Sequence, residues 1–188
     1  MLYNPRMSAW EQLAVNRPDE WRAPSTAGLI CGLIFYCGFL LYAWASQAEF
    51  LFLDHVNLII HEAGHFFFGW FGSTIGILGG TLGELLVPLL LGIYFWWHRH
   101  TSAVAFCAFW FFENFLYIGT YMADARRLTL PLVGSGEHDW EILFTQWNLL
   151  HLDQKIGGWT RGLGWLGMML SPAWLLWMRS RFPPTEPK

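Results

Sequence analysis

Charge is what this chain has least of. Asp, Glu, Lys and Arg make up 13% of its 188 residues, against roughly 25% in an ordinary soluble domain. Net charge is −3 with no basic block, so the electrostatic footprint of a nucleic-acid binder is missing. Cysteine is scarce: Cys31, Cys37 and Cys107 all fall in apolar stretches and none has CxxC spacing. They read as small packing residues, not as disulfides or metal ligands. No internal repeat is visible. Residues 1–26 are too polar, without a short apolar stretch behind a basic start, to read as a secretory signal. What remains is apolar surface. The chain is 54% hydrophobic and 19% aromatic with thirteen Trp, and its mean hydropathy is +0.32. Trp favours the headgroup level of a bilayer.

The expectation is an all-α integral membrane protein with about five apolar spans. They run over residues 27–46, 50–71, 74–97, 102–122 and 162–178, each long enough at about 1.5 Å per residue to cross or nearly cross about 30 Å of hydrocarbon. The third begins Gly-rich (Gly76, Gly79, Gly80, Gly83) and contains Pro88. Its first half is expected to be part re-entrant or packed tightly through small faces. Domain organisation follows: a polar segment at 1–26, with a short surface helix around 9–15, then one membrane-embedded catalytic unit at 27–178. A wet loop occupies about 123–161, and a disordered tail 179–188. If all five stretches cross, Arg6, Arg17, Arg22, Arg126, Arg127, Lys155 and Arg161 share the N-terminal side, against Arg99, Arg179, Arg181 and Lys188 opposite. The imbalance favours a cytoplasmic N-terminus in a multi-pass protein of the cell (inner) membrane.

Inside the second apolar stretch lies His61-Glu62-Ala63-Gly64-His65. On a helix the two imidazoles fall at i and i+4, on one face and about 6 Å apart, suited to one tetrahedral zinc. Glu62 is then placed to take a proton from zinc-bound water. Other ionisable residues in apolar stretches are functional candidates because burying them is expensive. Asn57, four residues before His61, shares its face and is expected to orient an imidazole. Asp54 on the same face reads more simply as an interface marker. Glu84 is either a carboxylate supporting the site or a protonated packing residue. Trp110, Glu113, Asn114, Tyr117, Tyr121 and Asp124 recur at spacings of three and four, a polar stripe that faces a bundle interior or a wet cavity. His138 lies in a Gly-rich turn between Glu137 and Asp139, where the backbone can bend sharply.

The motif, with glycine before its second histidine, inside an apolar stretch followed by a Gly-rich one, resembles the site-2 protease family of intramembrane zinc metalloproteases. The likeness is good over about residues 56–72 and loose over 113–125, where no Pro lies between Asn114 and Asp124 and Ala125 stands in place of Gly. It implies a zinc held by His61, His65 and an aspartate from a later span, with Glu62 as base. Parity places Asp124 on the same side of the membrane as the end of the second span, so Asp124 is the expected third ligand. His138 is its main competitor and Asp139 comes behind. The implied activity is hydrolysis of peptide bonds in or next to the bilayer, with a membrane protein or peptide as substrate and no nucleic-acid partner. A membrane di-iron oxygenase or desaturase-like enzyme is the alternative, but the seven histidines are scattered and no HxxHH occurs. A catalytically inactive membrane binding protein is a third reading, against which the intact His-Glu-His stands.

Overall fold

The computed structural model describes residues 8, 18–47, 50–133 and 137–183. The helix expected around 9–15, the glycines at 134 and 136 and the tail beyond 183 lie outside them. The described residues form six α-helices: α1 (Thr26–Ala45), α2 (Asp54–Phe68), α3 (Ser73–Trp97), α4 (Thr101–Asp124), α5 (Asp139–Gln146) and α6 (Asp153–Arg181). Short 3-10 turns follow α2 (Gly69–Phe71) and precede α6 (Leu150–Leu152). Among these residues there is no strand, and the β pairing present is an isolated bridge between Arg22 and His100. The fold is all-α.

Three helices, α1, α3 and α4, are long and apolar enough to cross a membrane. The other two expected spans differ from the sequence reading. The second starts at Asp54, not at residue 50, because the Asp54 carboxylate folds back to accept the Leu51 amide at 2.7 Å. Its 15 helical residues rise only about 22 Å. α6 is longer than expected, 29 residues, and opens with Gln154, Lys155 and Arg161 before becoming apolar. It also runs through Arg181, so residues 179–181, expected in a disordered tail, are helical.

The third stretch is not re-entrant. α3 is one helix of 25 residues with Pro88 inside it, and its glycines are explained by packing. Gly64, the glycine of the histidine motif, lies directly on the backbone of Gly79. A Cβ at Gly64 would run into the Gly79 carbonyl oxygen, and one at Gly79 would lie 2.6 Å from the Gly64 carbonyl oxygen. Small residues let helix backbones touch in this way. Gly64→Ala is accordingly expected to force α2 and α3 apart and to destabilise the fold by roughly 1–3 kcal/mol, read as a lower unfolding temperature in detergent.

Proline removes the amide that would bond the carbonyl four residues back. Here that carbonyl belongs to Glu84, and it is not left bare: Asn114 Nδ2 of α4 donates to it at 2.7 Å. α4 packs on α6 through Gly119 against Gly157 and through Gly164 and Gly167 against the Phe112 turn. Tyr36, Phe39, Ala105, Phe109, Leu116, Met168 and Leu175 form a core among α1, α4 and α6. A second cluster, Ile118, Tyr121, Trp140, Leu143 and Phe144, seats α5 against α4.

The junction into α6 is held by an ion pair. Asp153, fully buried, takes Arg126 Nη2 at 2.6 Å. The Arg126 hydrogen bond, opposed by burial and helped by the Gln154 amide, holds the Asp153 carboxyl below its ordinary value. A carboxyl whose folded value is depressed stabilises the fold above its unfolded value, and that contribution is lost as pH falls through the folded one. Wild-type unfolding temperature is therefore expected to fall below about pH 4, with Asp153→Asn showing a shallower acid limb.

Candidate metal centre

α2 places His61 and His65 one turn apart, with ring centroids 4.7 Å from each other and planes at 79°. Each ring has its Nδ1 committed outward. His61 Nδ1 lies 3.2 Å from Glu84 Oε1, a carboxylate with no exposed surface. His65 Nδ1 lies 2.8 Å from the Gly76 carbonyl oxygen. A carbonyl only accepts, so His65 Nδ1 carries a proton and a neutral ring presents a lone pair at Nε2. Both Nε2 atoms point at one carboxylate oxygen, Asp139 Oδ2, at 2.9 Å from His61 and 3.3 Å from His65.

Three acceptor atoms aimed at one another repel unless a cation, or protons at some cost, lies among them. Metal-bound histidines almost always donate their second nitrogen to a carboxylate or a backbone carbonyl, the two partners found here. Bonds of about 2.0–2.1 Å in a tetrahedron put neighbouring ligand atoms about 3.3 Å apart, close to the separations observed. Among the described residues, His61, His65 and Asp139 form the group of His, Cys, Asp or Glu side chains whose ligand atoms all lie within 4.8 Å of one another. The residues fit a tetrahedral divalent ion with two nitrogen donors, one oxygen donor and an open fourth position.

Asp139 is the first residue of α5. His138, the residue before it, caps that helix by accepting the Glu141 amide at Nδ1 (3.2 Å). Burial pushes the His138 imidazole below its usual value, against the pull of the Asp124 and Asp139 carboxylates, which keeps Nδ1 free to accept.

The carboxylate brought to the histidines is thus Asp139, and the expectation for Asp124 is corrected. Asp124 closes the turn after α4. Its carboxylate accepts the Thr129 amide, the Thr129 hydroxyl (2.6 Å) and the Leu130 amide (2.9 Å). His138 is likewise not on the histidine pair: its Nε2 faces Asp124 Oδ2 at 3.7 Å and its ring packs on Tyr121 at 4.1 Å.

Asn57 does not reach an imidazole either. It joins Asp54 (3.3 Å) and Glu113 (3.0 Å) through Nδ2, and takes the Trp110 indole N–H (2.8 Å) on Oδ1. Asp54, Asn57 and Glu113 are all buried. They form a polar seam between α2 and α4 at the opposite end of α2 from His65. Asn114 serves the Glu84 carbonyl. Glu84 is the polar residue of the apolar stretches that touches the histidine pair.

Glu62 lines the same cleft as His61, His65 and Asp139. The cleft encloses about 700 Å³ and is walled by Leu58, Tyr117, Tyr121, Leu130 and Leu132 on its apolar parts and by Arg127, Gln154 and Arg161 on its polar parts. Two contributors are not marked by the sequence as partners of the histidine pair. Gly76 acts through its backbone, and Tyr121, whose hydroxyl accepts the Asp139 amide at 3.1 Å, is one aromatic in a stripe of aromatics. The chain matches no protein-family model, curated protein or solved structure.

Proposed function

We propose that this chain is a membrane-embedded zinc endopeptidase that cuts peptide bonds in or next to the bilayer, with chemistry resembling that of the site-2 proteases. The observation that carries this reading is the convergence of two imidazole Nε2 atoms on one Asp139 oxygen, with Glu62 on the wall of the same cleft. Two nitrogens and one carboxylate oxygen with an open position make the ligand count of catalytic zinc sites. Zinc, when bound, supplies Lewis acidity that lets water act as a nucleophile near neutral pH.

The protein's own groups do the rest. Glu84 and the Gly76 carbonyl fix the tautomer and tilt of the two rings. Glu62 takes the proton from the attacking water and returns it to the leaving amine. The cleft, lined by both apolar and charged side chains, suits a chain that enters from an apolar segment and continues into water. Its substrate is a membrane protein or a membrane-bound peptide.

α2 and α6 belong in the bilayer with α1, α3 and α4, making five membrane helices of a multi-pass protein of the cell (inner) membrane. Ile59, Phe66, Phe67 and Trp70 of α2 and its following turn are each more than 70% exposed, a surface that lipid covers at no cost. Purified protein in detergent is expected to carry about one zinc per chain and to cleave a membrane-anchored peptide. Replacing His61 and His65 together by Ala abolishes both. Full zinc occupancy in that double variant would sink the proposal.

A further inference from the structure

We propose that Tyr121 is a further catalytic residue of this site, its phenol donating a hydrogen bond to the oxygen that gains negative charge when the peptide carbonyl is attacked. The inference rests on the endopeptidase reading and goes beyond it, because neither the histidine motif nor its metal requires a tyrosine.

Tyr121 lies on α4 and its side chain lines the metal cleft with His61, Glu62, His65 and Asp139. The ring is held on three sides. Its centroid is 6.1 Å from that of His61 and 4.1 Å from that of His138, and it stacks on Tyr117 at 6.2 Å. The hydroxyl oxygen accepts the backbone amide of Asp139 at 3.1 Å. A phenol that accepts one bond keeps its own proton to give, and among the described residues no acceptor lies on that proton. The residue is only 7% exposed, so the donor is fixed within a nearly closed wall beside the ligand atoms. Because the bonded amide belongs to Asp139 itself, the hydroxyl sits next to the carboxylate that faces both imidazoles.

The reaction needs such a donor. Water oxygen bonds to the carbonyl carbon, one water proton passes to Glu62, and the carbonyl π pair moves onto oxygen. Collapse returns that pair, the C–N bond breaks with its electrons on nitrogen, and the nitrogen takes the proton from Glu62. Tyr121 keeps its proton throughout and only solvates the oxyanion. Asp139 is anionic, and the proton that Glu62 has taken is committed to the leaving nitrogen, so neither serves as this donor. Removing one oxyanion donor typically lowers kcat by about 10²–10³-fold.

The test is Tyr121→Phe, which keeps the ring and its packing. The variant is expected to stay folded with a modestly lower unfolding temperature, since the Asp139 amide loses its acceptor. It should retain zinc content, keep KM within a few-fold of wild type and lose about 10²-fold or more in kcat. A phosphonamidate peptide, which presents a tetrahedral anionic oxygen, should bind the variant more weakly by a similar factor. An uncleaved substrate on the Glu62→Gln background should bind with and without the tyrosine hydroxyl equally. Wild-type kcat and wild-type phosphonamidate affinity in Tyr121→Phe overturn the inference. So does a loss that follows weakened zinc binding and is restored by saturating zinc, since that marks a tyrosine which only holds the Asp139 amide. If the wild-type protein neither cleaves peptides nor binds the phosphonamidate, the endopeptidase reading itself fails.

Discussion

Glu62→Gln is expected to keep its zinc and its fold while peptide hydrolysis falls by at least about 10²–10⁴-fold. The amide has the size of the carboxyl and stays half-exposed on the cleft wall, so packing does not change. What it lacks is a basic oxygen that can hold a proton between the attack on the carbonyl and the departure of the amine. Glu62 makes no hydrogen bond to another side chain of the site, so its replacement leaves the Glu84–His61 and Gly76–His65 contacts intact. Single-turnover cleavage of a membrane-anchored peptide, run beside metal analysis of the same sample, reads both quantities. Cleavage at the wild-type rate by a zinc-loaded Glu62→Gln variant would place the base elsewhere.

Asp139→Asn and Asp124→Asn are expected to separate cleanly. Losing a group that only orients a ligand costs about 10–100-fold in metal affinity, and losing a ligand costs at least the upper end of that. Asp139→Asn is therefore expected to weaken zinc by about 10²-fold or more, measured by competition with a chelator. Asp124→Asn removes a carboxylate that accepts two amides and a hydroxyl in the turn after α4. It should lower the unfolding temperature and move zinc affinity far less. If the two variants bound zinc equally well, the third ligand would be neither of them.

The contrast between these aspartates shows where sequence reasoning runs out. Spacing along one helix places His61, Glu62 and His65 on neighbouring faces, because the period of the helix is fixed. It likewise gathers Glu113, Asn114, Tyr117, Tyr121 and Asp124 on the buried side of α4. Spacing says which way a residue faces, not what it meets there. Asn57 meets Glu113 instead of an imidazole because α4 crosses α2 at that level. Asp139 reaches the histidines through the return of the chain after α4, which depends on a turn closed by Asp124 and a helix capped by His138. Neither is visible as a period. In α3 the glycines and Pro88 look like helix breakers when taken alone. They are compatible with a continuous helix because Gly64 and Gly79 need the space, and because Asn114, thirty positions away, takes up the carbonyl that proline frees.

The contact between His61 and Asp139 spans 78 positions, and this has a consequence for how the protein comes into being. Long-range contacts form late, since the chain between them must be ordered before the contact contributes. During synthesis the histidine pair leaves the ribosome well before Asp139. Until α5 docks on α4, the two imidazoles lack the carboxylate that faces them. A chain halted between His65 and Asp139 carries the whole His-Glu-His motif and still lacks the Asp139 carboxylate. The group of three donors is thus completed late, after the helix that holds the motif has already been made.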